Sequence, residues 1–557
     1  MSASEITVTG EAPKGFLQKI LDGIEKAGNK VPHPVMIFVY LIVLVIALSV
    51  VLDALNVGVT EEILTPTEPL TTQEEIVGGS SVPVDVTSPD WDEHFTTEQV
   101  RAEVHSLLTV DGLRFIFTSF VSNFANFNVV AVIFVAMIGV GVAEEAGLMA
   151  ALIRRLVAVA PGSILTFAIV LVGGLSSVAT DAGYLILIPL GAAAFLSVGR
   201  HPLAGVAAAY AGVSAAFSVN ILIAPLDALL TEMTNESIRL VDPTQTVTIT
   251  SNLYFSIAST VVMALVITVI TSRMIEPRLG AYRAGSGSGD ESVAAEDATQ
   301  LAPEDEARGI RYALIAILLA FVGIVLLTAP SGGPLRDPDS GAIVGNTPFM
   351  DSLIFLITLV FLVAGIGFGI GAQTLKTSTD VVNSIVKTFA GLSGLIFMLL
   401  VISQFIAYFN FTNMPNVIAG GLAHLLERAD VNEVILLIGF ILVICLLDII
   451  IPGALPKWAI FAPIFIPLFM RLGVAPQTLL AAYRIGDSPM NVITPLMVYL
   501  PFIVVVSQRY VKDAGIGTII SLMIPYTFIV LLLWIIFFVV WYVVGIPLGP
   551  GYPVDLP

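Results

Sequence analysis

The sequence predicts an all-α polytopic membrane protein of about nine transmembrane helices, arranged as two related halves. Three observations lead there. Of 557 residues, 56% are hydrophobic and only 12% are charged, with a mean hydropathy of +0.94, whereas soluble domains carry about a quarter charged residues. Long apolar runs recur between residues 35 and 544, and about 20 apolar residues suffice to cross roughly 30 Å of hydrocarbon. The alternating segments of about ten residues that mark a transmembrane barrel are absent. A soluble fold and a β-barrel are both excluded.

Residues 1–33 form a charged N-terminal segment in which Lys14, Lys19, Lys26 and Lys30 precede the first span. Excess Lys and Arg marks the cytoplasmic side, so the N-terminus is expected inside. It lacks the cleavable pattern of a leader, and the first span, 34–56, reads as an uncleaved signal-anchor. Residues 57–113 follow as an acidic external loop, with twelve Asp and Glu between 57 and 111 against Arg101 alone. Much of the formal net charge of -19 lies in segments of this kind, outside the spans. The first transmembrane half, 114–275, contains a Gly/Ser/Ala-rich stretch, 161–230, whose apolar pieces are too short or too interrupted for ordinary spans. A flexible cytoplasmic linker, 276–308, is marked by Gly-Ser-Gly-Ser-Gly at 285–289 and by arginines at its edges. The second half, 309–512, has its own interrupted stretch, 434–506. Residues 513–557 supply the last span and an external tail. Cys445, the single cysteine, excludes an intramolecular disulfide and a Cys-based metal cluster.

The two interrupted stretches resemble each other in order and residue type. Ser122 to Asn128 matches Tyr408 to Asn413, each before a break. Pro161-Gly162 and Ile188-Pro189-Leu190 match Pro452-Gly453 and Ile466-Pro467-Leu468. Ala209-Tyr210, Ser214, Asn220 and Pro225-Leu226 match Ala482-Tyr483, Ser488, Asn491 and Pro495-Leu496. An inverted repeat is the expected arrangement, and segments broken by Gly and Pro at matching positions point to a transporter's binding site, because broken helices free backbone groups for ions or substrate.

Three carboxylates fall inside apolar surroundings, where each costs roughly 2.5 to 3.5 kcal/mol on insertion scales unless paired or hydrated. Asp181 follows Ser177-Val178-Ala179-Thr180. Asp448 ends Leu446-Leu447-Asp448, just before Pro452. Asp487 lies in the polar island Arg484-Ile485-Gly486-Asp487-Ser488-Pro489-Met490-Asn491. With Asn491 and Asn413, Asp448 and Asp487 are candidate Na⁺ ligands; either carboxylate also suits a proton. Arg484 and Asp487 are spaced to neutralise each other on one helix face. Arg484 alternatively offers a planar fork to a substrate carboxylate. Trp458 is either a stacking platform for an aromatic ring or an interfacial anchor, and Asn220 is either an amide ligand or an interhelical hydrogen-bonding group.

Asn29-Lys30-Val31-Pro32-His33-Pro34, Ser177 to Tyr184, Lys457 to Phe465 and Arg484 to Ser488 together resemble the p-aminobenzoyl-glutamate transporter (AbgT) family, over nearly the whole chain. The resemblance implies nine transmembrane helices, two re-entrant helical hairpins and a homodimer in the inner membrane of a bacterium, with the C-terminus outside. It implies Na⁺- or H⁺-coupled movement of p-aminobenzoyl-glutamate, p-aminobenzoate or sulfonamide antimetabolites, in the direction of efflux and hence of sulfonamide resistance. It carries functional roles onto Asp181, Trp458, Pro476, Arg484, Asp487 and Pro495. Two departures from the family's pattern are Asp448, where an Asn is usual, and Pro452-Gly453-Ala454-Leu455-Pro456, where Ser and Gly are usual.

The partners expected are therefore a small aromatic carboxylate, Na⁺ or H⁺ and the lipid bilayer, with no nucleic acid and no cofactor beyond a bound Na⁺. An enzyme is not expected. The alternative from another class is an intramembrane aspartyl protease using Asp181 and Asp487, which the missing Gly-x-Gly and Pro-Ala-Leu segments disfavour. No His-Glu-x-x-His and no Gly-x-x-x-x-Gly-Lys-Ser/Thr occurs, which disfavours a zinc protease and an ATP-driven pump.

Overall fold

The computed structural model describes residues 34–66, 76–77, 80–81, 95–162, 164–177, 183–242, 245–282, 301–338, 340–343, 347–419, 421, 432–449, 453–494 and 497–555. Asp181, Pro452, Pro495 and most of the 276–308 linker lie outside them.

Helix α1 (Pro34–Ala54) is apolar along its length up to Asp53. The acidic segment that follows, read from sequence as a loop, contains an antiparallel ribbon: β1 (Gly58–Pro66) pairs with β4 (Phe95–Glu103), Gly58 opposite Glu103 and Pro66 opposite Phe95. Two short strands between them, β2 (Ile76–Val77) and β3 (Ser80–Ser81), pair with each other. The Thr109 hydroxyl accepts the Gly112 N–H and starts α2 (Val110–Ala125). After a break at Asn126 and Phe127 the chain continues as α3 (Asn128–Glu145) and α4 (Leu148–Val159).

Next come α5 (Leu165–Ser176), a π-helical turn at Gly183–Leu187 leading into α6 (Ile188–Ser197), α7 (Pro202–Ser214) and α8 (Pro225–Ile238). Helix α9 (Leu253–Ile270) is prolonged by a π-helical turn, Thr271–Ile275, and one further turn, Glu276–Leu279. In the second half α10 (Pro303–Thr328) and α11 (Pro348–Ala372) form a long pair, and α12 (Ser378–Gly391) begins with a Thr377/Asp380 capping box. Then follow α13 (Ser393–Phe411), α14 (Glu433–Asp448), α15 (Ala454–Arg471), α16 (Pro476–Asp487), a 3₁₀ turn at Pro489–Val492, α17 (Leu500–Gln508) and α18 (Ile516–Val544).

Among the described residues eight helices are long and apolar enough to cross a membrane. One of them, α15, is an arm of a hairpin with α14. Two interrupted helices, α7–α8 and α16–α17, each reach a spanning length only when their halves are taken together. Exchanging the one for the two restores the nine crossings expected from sequence, with α5/α6 and α14/α15 as the two hairpins.

The halves pack in a related way. Hairpin α5/α6 lies against α7, and hairpin α14/α15 lies against α16; the second arm α15 also packs on α8, and α6 on α17. One pairing drawn from sequence is corrected. Pro161-Gly162 precedes the first arm of its hairpin, whereas Gly453 sits between the two arms of the other, at φ +97°. The Tyr210/Tyr483 and Asn220/Asn491 matches do occupy equivalent places, in the first half of each interrupted helix and in the break after it.

Close backbone approach holds the first hairpin on α7. A Cβ on Gly205 would lie 2.2 Å from the Gly191 carbonyl oxygen, and one on Gly173 would lie 2.7 Å from the Gly212 carbonyl carbon. Small residues at such crossings replace the hydrophobic driving force that lipid removes. Gly205→Leu is therefore expected to lower thermal stability in detergent by about 1–3 kcal/mol or more, as overpacking does. Gly323→Leu on α10, where an added Cβ meets nothing within 4 Å, is expected to leave the melting curve unchanged.

Candidate functional site

The second interrupted helix stops where its sequence cannot continue: Pro489 lies just beyond Asp487, and the chain tightens into the Pro489–Val492 turn. Gly486 lets α14 cross at contact distance, because a Cβ there would lie 2.7 Å from Ile444 Cβ. This crossing brings together the C-terminal residues of two helices, Asp448 of α14 and Asp487 of α16. Helix C-termini already carry partial negative charge. Two buried carboxylates added there make a strong cation site.

Lys457, in the first turn of α15, enters that site. Its ammonium pairs with Asp448 and lies 2.7 Å from Asp487 Oδ1, and all three side chains are fully buried. Ser218 Oγ donates to Asp487 Oδ2 at 2.7 Å, and the Tyr483 hydroxyl lies 3.5 Å from Oδ1 while donating to the Ala454 carbonyl. Asn491 Nδ2 donates to the Asp487 carbonyl at 2.8 Å. Asp448 Oδ2 is buried with no hydrogen-bond partner among the described residues.

The pairing of Arg484 with Asp487 expected from their spacing does not form. Arg484 points across to the first half, where Nη1 bonds the Ser218 carbonyl at 2.6 Å and Asp227 Oδ1 at 2.7 Å. Asp227, in the first turn of α8, is fixed by its other oxygen, which accepts the Ala224 N–H. The physical reason is competition. The Lys457 ammonium already neutralises Asp487, and Asp227 offers Arg484 a carboxylate on the opposing break. Arg484 Nε is buried without a partner among the described residues.

Trp458 is completely buried, its Nε1 donating to Thr234 Oγ1 at 3.0 Å and its ring against Tyr483 at 4.5 Å between centroids. An interfacial anchor is thereby ruled out. In this conformation the ring braces Tyr483, which braces Asp487. Asn220, in the first break, donates to the Gly174 carbonyl and to Ser177 Oγ at 3.0 and 2.9 Å, and accepts the Leu222 N–H. It thus ties the break to the end of α5. Pro476 is the first residue of α16, buried far up the helix from Asp487. Asn413 belongs elsewhere: it adopts φ +56°, donates to the Glu103 carbonyl and accepts from Asn416. As a Na⁺ ligand beside Asp448 it is therefore set aside, since both ends of its amide are engaged near β4. No group of three or more His, Cys, Asp or Glu that could hold a metal occurs among the described residues.

Lys457, Asp227 and Ser218 were not singled out from sequence. Lys457 sits in a motif otherwise notable for Trp458, and Asp227 looks like an ordinary helix-start acid two residues after Pro225. Only the crossing of the two breaks reveals them as partners. Small cavities of about 10 Å³ flank Asn220 and Asp227, far below the roughly 300 Å³ that a drug-sized ligand needs.

Among the described residues three carboxylates, Asp227, Asp448 and Asp487, face two cations, Lys457 and Arg484, a formal excess of one negative charge. Removing one partner of a buried pair costs about 3–5 kcal/mol because the other is stranded. Lys457→Met is expected to lower thermal stability by that order, since it raises the excess to two negative charges. Asp448→Asn, which brings the group to neutrality, is expected to melt at or above the wild-type temperature. The opposite ranking of these two variants would contradict the charge count.

The comparisons with known proteins agree with this architecture. Residues 19–556 match the model of the AbgT putative transporter family. The p-aminobenzoyl-glutamate transport protein of Escherichia coli (strain K12) is 33% identical over 536 residues, 96% of this chain and 97% of its own. The structure of the YdaH transporter of Alcanivorax borkumensis, described as having an unusual topology, superposes with a TM-score of 0.81 at 36% identity, covering 93% of this chain and all of that one. MtrF of Neisseria gonorrhoeae, described as illuminating a class of antimetabolite efflux pumps, superposes at 0.83 with 36% identity, covering 96% and 100%. The enzymatic alternative, an aspartyl protease, falls with these findings. The chain belongs to the AbgT putative transporter family.

Proposed function

We propose that this protein is a proton-coupled secondary transporter that exports p-aminobenzoate-type aromatic carboxylates, p-aminobenzoyl-glutamate and sulfonamide antimetabolites among them. The observation that carries the proposal is the count of three carboxylates against two cations among the described residues gathered at the C-termini of α14 and α16. A buried charge in this setting requires one monovalent cation. Asp448 Oδ2, without a hydrogen-bond partner among the described residues, is the natural place for it. A proton is favoured over Na⁺ because Lys457 already fills the position between the two carboxylates that a metal ion would take.

In this reading the cation state of Asp448 sets the charge of the cluster, Lys457 transmits it to Asp487, and Ser218 and Asp487 transmit it to the opposing break. Arg484 Nε, buried and without a partner among the described residues, is the donor offered to a substrate carboxylate when the centre opens. Outward transport is supported by the description of the gonococcal relative as an efflux pump, and the substrate class by the name of the Escherichia coli relative. A homodimer in a bacterial inner membrane, N-terminus inside and C-terminus outside, completes the proposal, on the Lys/Arg distribution and the resemblance.

In proteoliposomes, radiolabelled p-aminobenzoate and p-aminobenzoyl-glutamate are expected to move uphill under an imposed pH gradient without Na⁺. Asp487→Asn is expected to lose that movement while keeping a wild-type size-exclusion profile. Movement that follows a Na⁺ gradient alone would replace the proton as coupling ion. If neither compound moves under either gradient, the substrate assignment fails.

A further inference from the structure

A cavity of about 520 Å³ lies between α4, α5, α10, α11 and the break after α7, next to the small cavity that Leu222 and Ile223 share with Asn220 and Asp227. Its walls include Leu152, Leu175, Leu222, Ile317, Ile357 and Phe361. The one hydroxyl among the described residues of its lining, Ser176, already donates to the Gly173 carbonyl at 2.6 Å. Among the described residues of the wall no side chain is left to orient water, an ion or a carboxylate. The volume is in the range of sites that hold a small molecule.

The surroundings decide what that molecule is. Helices α10 and α11 are long and apolar enough to cross a membrane, and the medium around such spans is hydrocarbon. Leu156 and Leu222 line the cavity while remaining 48% and 53% exposed, so the wall is continuous with an open apolar surface. We propose that the cavity is a binding site for one acyl chain of a bilayer phospholipid. The chain fills the gap between hairpin arm α5 and α11, touching Leu175 and Ser176 on one side and Ile357 and Phe361 on the other. At Leu222 it also touches the break that carries Asn220, two residues away. The lipid is thus a spacer between the first hairpin and the long α10/α11 pair.

The test uses Phe361→Trp in vesicles of phosphatidylcholine with dibrominated acyl chains, compared with the unbrominated lipid. The fluorescence that the substitution adds over wild type is expected to be quenched to the extent seen for Phe528→Trp, whose parent ring is 56% exposed on α18. Phe368→Trp, at a ring that is fully buried and outside the cavity, is expected to resist quenching. No quenching of Phe361→Trp, as when a partner subunit fills the space, would overturn the proposal. Quenching by aqueous iodide, or relief of the bromolipid quench by p-aminobenzoate, would also overturn it, by placing water or substrate there. Native mass spectrometry gives an independent reading: Ile357→Trp, which fills the space, is expected to retain one phosphatidylcholine fewer per protomer than wild type, and an equal number would count against the site.

Discussion

Two carboxylates at the ends of two helices, held by a single buried ammonium, are the constraint around which the rest of the centre is arranged. Asp448 and Asp487 each close a helix at the end where the backbone is already negative, and Lys457 opens a helix at the end where it is already positive. Each of the three is unfavourable where it stands. Together they compensate, and they do so only if hairpin α14/α15 is seated on α16. The Gly486 crossing, the Tyr483 hydroxyl and the burial of Trp458 all serve that seating.

From this cluster the contacts run to the other half of the repeat. Ser218 reaches Asp487 with its hydroxyl and Arg484 with its carbonyl, and Asp227 takes the guanidinium. Tyr210 of α7 donates to the Asn491 carbonyl in the opposing break at 3.2 Å. The two breaks thus satisfy each other's freed backbone and polar groups, which is what permits irregular chain at membrane depth. The repeat is symmetric in its helices and asymmetric in its chemistry. Among the described residues the second half supplies both cations and two of the three carboxylates of the centre, while the first supplies Asp227, Ser218 and the Asn220–Ser177 link.

The spans were readable from sequence because an apolar run of membrane length has few other uses, and the breaks were readable from Gly and Pro inside such runs. The ribbon of β1 and β4 was not: in an acidic stretch the charge run dominates, and the alternation of Thr-Glu-Glu-Ile and Glu-Gln-Val-Arg is too short to stand out. The hairpins came through resemblance, since arms of 12 to 18 residues such as α5 and α15 are ambiguous by length alone. The buried carboxylates are marked in the sequence by their cost, whereas of the two roles open to Arg484 the local pair with Asp487 does not form. Three residues separate Arg484 from Asp487, which invites a local pair, whereas the pair formed spans 257 positions.

The proposed coupling places one proton on Asp448, where it cancels the excess negative charge counted among the described residues of the cluster. Infrared difference spectroscopy of the purified protein between acidic and alkaline buffer tests it most directly, through the carbonyl stretch of a protonated carboxyl group. The account predicts such a band in wild type, lost in Asp448→Asn and insensitive to Na⁺. A wild type without the band, or a band removed by adding Na⁺ at constant pH, would contradict it and make the compensating cation a metal ion.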